Sequence, residues 1–174
     1  MNDLQFTLDN IKDSPLQGFQ LKAVAVSAKG YSQGFCTPFE ALIDSGAFHT
    51  CISKTIMDKI LDKVFDENGN RLQEVGKSNA MGVYGKSSKE SIYILPHFYL
   101  GSIHLTDVAV TVLNTKNIQC LIGRSILQQC VLTLDPEQNN MYFNFKESLK
   151  QQKRLVDNVM PFADVLQFAE FSAE

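Results

Sequence analysis

The stretch from Ala41 to Ala47, ALIDSGA, holds the residues best suited to chemistry, because an aspartate ends an apolar run and a serine and a glycine follow it. A buried carboxylate is costly unless it is paired or used. Two carboxylates about 3 Å apart share one proton, so that one acts as a base on water while the other, protonated, polarises a carbonyl group. The neighbours of Asp44 suit such a site, since Gly46 permits a close backbone approach and the Ser45 hydroxyl can tie the loop to a symmetry mate.

The chain offers no second carboxylate in the same setting. No other Asp-Ser-Gly or Asp-Thr-Gly occurs, and the other Asp-Ser pair, Asp13-Ser14, is followed by Pro15. One chain therefore supplies half of a two-carboxylate site. The sequence predicts a homodimer in which Asp44 of each copy lies near the two-fold axis.

The segments around this motif are mostly typical of β-strands. Apolar runs at Leu21–Ala28 and Phe39–Asp44 predict two strands joined by a turn-rich loop. Ser53 is a suitable N-cap, and apolar residues at helical spacing after it predict one amphipathic helix. The remainder predicts a Gly- and Ser-rich hairpin, a long hairpin turning at Gly101-Ser102, a short buried strand CLIG followed by a short helix, and a last hairpin ending at Phe145.

Composition and charge exclude several classes of protein. The chain has 174 residues, 44% of them apolar and 20% charged, which is enough for one globular domain with a core. A net charge of −3 gives no basic surface for nucleic acid, and no apolar run approaches the roughly 20 residues that span a bilayer. The first residues do not resemble a signal peptide, and the four cysteines have no CxxC spacing. We therefore expect reduced thiols, a cytoplasmic location, and neither nucleic-acid nor membrane partners.

The composition changes after Phe145. A charged stretch from Lys146 is followed by an apolar one with Pro161 near its start, which predicts two short helices. We expect a β domain over residues 1–145 and a helical C-terminal extension over residues 146–174. The extension is expected to pack on its own chain, with a dimer contact or a docked partner as the alternative.

Two motifs together resemble those of the retropepsin-like aspartic proteases, in particular the small single-domain members found in bacteria. The motifs are ALIDSGA and, later in the chain, CLIGRSIL, with a flap-like hairpin between them. The resemblance implies a mostly β fold, a closed antiparallel barrel of the acid-protease type, with one helix after the catalytic loop. It also implies a homodimer that acts as an endopeptidase on peptide or protein substrates, with no metal and no organic cofactor.

The resemblance also implies residue roles. Asp44 corresponds to the catalytic acid and base, Ser45 to the hydroxyl that joins the two chains, and Gly46 to a position beside the substrate. The positions expected to bind substrate, on the loop, the flap and the second motif, are Ala47, Met81, Gly82, Val83, Tyr84, Gly85, Ile122 and Gly123.

The chain departs from the family pattern in one place beside the motif. Retroviral members often carry an acidic residue four positions after the catalytic aspartate, paired with the arginine of the second motif. This chain has Phe48 there, so that Arg124 lacks such a partner. The long tail is a second departure and places the retroviral mode of dimerisation in question.

Other interpretations stay open or are set aside. The same fold could serve as a non-catalytic peptide-binding or protein-interaction module, or as a protease that cuts only its own precursor or one partner. His49 and Cys51 are too few for a metal site, since zinc usually takes four ligands. The stretch GYSQG, Gly30–Gly34, matches a serine-nucleophile pattern, but a strand rather than a helix is expected after it, which indicates a turn.

Overall fold

The structure of the protein is a computed structural model. It describes residues 4–7, 20–81, 87–101, 103–135 and 140–145. The predicted C-terminal extension, residues 146–174, lies outside the described residues, so the proposed division of the chain into two parts stays a prediction.

Ten strands and two short helices occur among the described residues. In chain order they are β1 (Leu4–Thr7), β2 (Gln20–Val26), β3 (Phe39–Ile43), β4 (Cys51–Ser53), α1 (Lys54–Lys63), β5 (Gly76–Met81), β6 (Ser87–Leu100), β7 (Ile103–Leu113), β8 (Cys120–Ile122), α2 (Arg124–Leu127), β9 (Cys130–Asp135) and β10 (Asn140–Phe145). Neither helix has the length or the apolar character that a membrane crossing requires.

Six strands form a closed barrel in the order β2, β3, β8, β4, β7 and β6, and pairing of β6 with β2 completes the ring. Strand β5 pairs with β6 outside the ring. Most pairings are antiparallel, but β3–β8 and β4–β7 are parallel. The prediction of a mostly β protein with a closed barrel is confirmed.

The parallel pairing of β3 with β8 is the feature that positions the candidate site. Ile43 is the register partner of Ile122 at the ends of the two strands. Because parallel strands end at the same edge of a sheet, the two motifs leave the barrel side by side. Asp44 and Gly123 are therefore neighbours in space although they are far apart in the chain.

A second, three-stranded sheet joins the two ends of the β domain, in the order β1, β10, β9. The pairing of β9 with β10 confirms the last predicted hairpin. The edge strand β1, which pairs with β10, was not expected from the sequence. Its sequence, LQFT, alternates between apolar and polar residues but is only four residues long, so the pairing partner is needed to identify it as a strand.

Helix α1 begins where the sequence predicts it. The Ser53 hydroxyl accepts a hydrogen bond from the Ile56 N–H at 3.4 Å, which is the expected N-cap. Its apolar face, with Ile56, Met57 and Ile60, is buried in the core of the barrel. This packing holds the barrel strand β4, and with it the end of the loop that follows Asp44, in place.

The stretch GYSQG connects β2 to β3 as a turn, as expected. Gly30 and Gly34 have positive φ angles of 91° and 151°. Ser32 is exposed, and no helix follows it. The connection therefore lacks the strand–turn–helix geometry that a nucleophilic serine of this kind requires.

Candidate active site

Asp44 follows β3 directly and is fixed by the strand on one side and by its own loop on the other. Its N–H donates to the Ile122 carbonyl oxygen at 3.0 Å, which extends the β3–β8 pairing by one residue. Its Oδ1 accepts the Gly46 N–H at 2.8 Å, and its carbonyl oxygen accepts the Ala47 N–H at 3.2 Å. The carboxylate of this aspartate-led turn is thus oriented by backbone donors, while the side chain stays partly exposed.

The tripeptide after the strand is open to its surroundings. Ser45 and Gly46 are both exposed, and Ala47 is partly buried. A Cβ at Gly46 would lie 3.1 Å from Asp44 Oδ1, tighter than ordinary contact, so that glycine suits the close approach of this backbone to the carboxylate. The loop therefore presents one carboxylate, one hydroxyl and an open backbone on the same surface.

The loop after Asp44 is fastened to the first turn of α2 by backbone hydrogen bonds. The Arg124 N–H donates to the Ala47 carbonyl oxygen at 2.9 Å, and the Ser125 N–H donates to the Phe48 carbonyl oxygen at 3.0 Å. Since N–H groups in the first turn of a helix have no partner within the helix, the loop supplies the acceptors that α2 lacks. The second motif thus holds the first in place.

A buried pair of hydroxyl groups adds to this attachment. Thr50 is fully buried, and its N–H donates to Ser125 Oγ at 3.0 Å. The two hydroxyl oxygens lie 3.1 Å apart, and Thr50 Oγ1 accepts the Gly123 N–H at 3.3 Å. The sequence analysis missed both residues. The available signal was a small hydroxyl residue three positions after the first motif and another within the second, which is weak without knowledge that the motifs meet.

Ile122 and Gly123 support the loop from the second motif. The Ile122 side chain is fully buried in the core. A Cβ at Gly123 would overlap the His49 carbonyl group and lie 3.0 Å from the Ala47 carbonyl oxygen, so the backbone of the loop passes directly over this glycine. The expectation that these two residues bind substrate stays a prediction.

The partner of Arg124 is aromatic. Its guanidinium carbon lies 3.8 Å from the centroid of the Phe48 ring, within the range of a cation–π contact. None of the ion pairs found in the described parts of the chain involves Arg124. The arginine of the second motif thus lacks an acidic partner there, as the sequence indicated, and the aromatic ring takes that place.

Cys51 lies close to the candidate site, which the sequence did not predict. Its Sγ donates to the His49 carbonyl oxygen at 3.3 Å. Burial, followed by the negative charges of Asp44 and Glu90, raises the pKa of the thiol to about 11. The thiol therefore stays protonated at neutral pH and behaves as a small apolar group beside the carboxylate.

The flap-like hairpin is described only in part. Strands β5 and β6 pair in register from Gly76 with Ile92 up to Met81 with Ser87, as the predicted hairpin requires. The expected substrate-binding residues Gly82, Val83, Tyr84 and Gly85 lie outside the described residues. Within the described ranges, no three His, Cys, Asp or Glu side chains lie close enough together to hold a metal ion.

The closed barrel and the loop geometry define the class of protein, and comparison with known proteins agrees. The family model described as Aspartyl protease matches residues 24–126, which include the first motif and all but the last residue of the second. The chain belongs to this aspartyl protease family. A search of curated protein sequences finds no match.

A solved structure shows the same fold. The structure is similar to a retropepsin-like aspartic protease from Rickettsia conorii, with a TM-score of 0.53, 16% sequence identity, and coverage of 83% of this chain and 91% of that one. A second match is the retroviral protease-like domain of Ddi1 from Leishmania major, with a TM-score of 0.43, 14% identity, and coverage of 73% and 94%. The first of these likenesses establishes the retropepsin-like fold of this chain.

Proposed function

We propose that the protein is an aspartic endopeptidase that works as a homodimer, with one Asp44 from each copy. The observation that carries the proposal is the Asp44 loop in a member of the aspartyl protease family. Its carboxylate is partly exposed and is oriented by the Gly46 N–H at 2.8 Å, and the loop is fastened to α2. Each chain carries one such loop, so a pair of carboxylates needs two chains.

In the proposed reaction the two carboxylates share one proton. The ionised Asp44 takes a proton from a water molecule as the water oxygen attacks the peptide carbonyl carbon. The protonated Asp44 gives its proton to the carbonyl oxygen, so a neutral tetrahedral gem-diol forms. When the C–N bond breaks, the leaving nitrogen takes a proton from the carboxyl group that had gained one. One gem-diol hydroxyl gives its proton to the other carboxylate as the C=O bond re-forms, so a carboxylic acid and an amine leave, the pair again holds one proton, and no covalent enzyme intermediate arises.

Other parts of the chain serve this reaction by position. The exposed Ser45 hydroxyl is available to tie the two loops together across the two-fold axis. The hairpin of β5 and β6 would close over an extended peptide and offer backbone hydrogen bonds to it. A cytoplasmic location stays a prediction, supported by four cysteines that are all free thiols.

The central test is Asp44→Asn, assayed by mass spectrometry with a peptide library near pH 5. We expect cleavage to fall to background, because an amide can neither take the proton from water nor share one with the opposite carboxylate. Asp58→Asn is the matched control, since Asp58 is exposed on α1 and paired with Lys54. Cleavage by the Asp44→Asn protein at the rate of the control would rule out the mechanism.

Three further observations separate the alternatives. Sedimentation of the unmodified protein at assay concentration should show a dimer, and a strictly monomeric protein that still cleaves peptides would contradict the shared site. Binding of a pepstatin-type inhibitor or of library peptides without any cleavage would indicate a peptide-binding module. Cleavage confined to the protein itself would indicate a protease that acts only on its own precursor.

A further inference from the structure

The contact between Phe48 and Arg124 joins the same two segments as the backbone hydrogen bonds of the site. Phe48 is 71% exposed, so burial in the core does not explain its position. Its ring lies under the guanidinium group, at 3.8 Å from Cζ to the ring centroid. Its own carbonyl oxygen accepts the Ser125 N–H, and that of Ala47 accepts the Arg124 N–H. The contact is therefore placed to stabilise the docking of the Asp44 loop on α2.

The chemistry of this contact differs from that of an ion pair in one respect that matters for an acid protease. A carboxylate partner for arginine loses its charge as the pH falls through about 4. A phenylalanine ring has no proton to gain, and arginine stays charged at any pH in this range. The contact therefore keeps its strength in acid, where a pair of aspartates sharing one proton is expected to work.

We propose that Phe48 is a positioning residue that holds Arg124, and through it the Asp44 loop, by a contact that does not weaken in acid. The proposal rests on the proposed function for its purpose, but the contact itself can be tested without any cleavage assay. The proposal also requires that the side chain at position 48 present either an aromatic ring face or a negative charge to Arg124. The two solutions differ in their response to pH.

Few titratable groups lie near the contact. The adjoining elements other than α2 are the loop, β4, β7, β8 and β9. The titratable and charged groups that their described side chains bring are Asp44, His49, Cys51, His104, Asp107, Cys120 and Cys130. Burial raises the pKa of all three of these cysteines, so they stay uncharged below neutral pH. The two aspartates and the two histidines are common to every variant below, so comparison with the unmodified protein removes their contribution.

The direct test is amide hydrogen exchange at Arg124 and Ser125 in the full-length protein, corrected for the intrinsic effect of pH. Phe48→Ala and Phe48→Leu should each lower protection at both amides about two- to fivefold, the factor expected from an exposed cation–π contact. Phe48→Trp should retain full protection. Val75→Ala is the matched control, because it removes another exposed apolar side chain, which is 60% exposed and lies just before β5.

The pH arm uses Phe48→Glu, which should restore an ion pair to Arg124. Beside the guanidinium, the glutamate pKa lies below its usual value of about 4.3, so its contribution is complete above that pH and is lost as the pH falls through the lowered value. Protection in this variant should match the unmodified protein at pH 7 and decline below about pH 4.3. Protection in the unmodified protein should stay level over the same range.

Three outcomes would overturn the proposal: full protection in Phe48→Ala, full protection in Phe48→Leu, or the same pH profile for Phe48→Glu and the unmodified protein. The exposure of Phe48 means that each variant is expected to fold. If Asp44→Asn leaves cleavage unchanged, the proposed reaction fails while the exchange data still decide the role of Phe48. If cleavage depends on Asp44, kcat should fall in Phe48→Ala with little change in KM, and Phe48→Glu should lose activity at a higher pH than the unmodified protein.

Discussion

Replacement of Gly123 by alanine is expected to drive the Asp44 loop away from α2. The added Cβ would lie 2.6 Å from the His49 carbonyl carbon and 3.0 Å from the Ala47 carbonyl oxygen. These are backbone atoms, so no side-chain rotation relieves the overlap, and the loop must shift as a unit. That shift would break the two hydrogen bonds that the Arg124 and Ser125 N–H groups donate to the loop.

The size of the effect follows from these contacts. An extra methyl group forced into a packed region costs about 1–3 kcal/mol, and each lost hydrogen bond adds about 1 kcal/mol. We expect the free energy of unfolding to fall by about 3–5 kcal/mol. At a slope of about 2 kcal/mol per molar urea, the midpoint of urea unfolding should fall by roughly 1.5–2.5 M.

A matched glycine is available as the control. Gly76 in β5 has no atom within 4 Å of an added Cβ and does not have a positive φ angle. Gly76→Ala should leave the midpoint unchanged or raise it slightly. All proteins should be compared at one concentration, since dimer formation makes stability depend on concentration. Equal midpoints for the two variants would show that the close approach at Gly123 does not hold the loop.

Two further predictions concern Tyr99 and His104, whose rings are stacked with their centroids 4.5 Å apart. The Tyr99 hydroxyl is buried and has no hydrogen-bond partner in the described part of the chain. Tyr99→Phe should therefore raise the free energy of unfolding by about 1 kcal/mol. A loss of stability in thermal unfolding would contradict this. The pKa of His104 is lowered to about 4 by burial and by its neighbour His97, so the unfolded chain binds a proton below pH 6.5 that the folded chain does not, and stability falls as the pH drops from 6.5 towards 4. The slope of the unfolding free energy against pH is at most about 1.4 kcal/mol per pH unit, and less because solvent reaches part of the ring. Urea unfolding at pH 7, 6 and 5 should show a shallower slope for His104→Gln. A slope equal to that of the unmodified protein would refute the assignment.

The tautomers of the histidine pair follow from their partners. His97 Nε2 lies 3.0 Å from the Ala28 carbonyl oxygen, which only accepts, so this nitrogen carries a proton. In the neutral ring His97 Nδ1 is then an acceptor, and His104 Nε2 at 3.0 Å donates to it. Glutamine at position 104 is the chosen replacement because it offers an N–H donor for the same acceptor.

The local features of the fold were predictable from the sequence. The N-cap at Ser53, the apolar face of α1 and the turn at Gly101 each depend on residues close together in the chain. The candidate loop was also visible, because the Asp-Ser-Gly tripeptide, common by itself, follows an apolar strand and precedes a helix, a hairpin and the second motif. The roles of Asp44, Ser45 and the flap residues stay predictions until the variants are assayed.

The omissions in the site share one cause. The sequence indicated that Ile122 and Gly123 belong to the site, but it could not show that they support the loop from beneath. It also gave no reason to join Thr50 to Ser125, or the ring of Phe48 to Arg124. Each of these contacts joins residues that are more than 70 positions apart in the sequence.

The sequence by itself determined most of the strands, the helix α1, the single Asp-Ser-Gly loop and the family to which the chain belongs, because these depend on local periodicity and on short motifs. Only the tertiary structure decided that β3 and β8 run parallel and end together, so that one motif becomes the support of the other. The physical reason is that strand pairing is chosen by closure of the barrel and burial of its core as a whole. No short segment carries enough information to specify its distant partner.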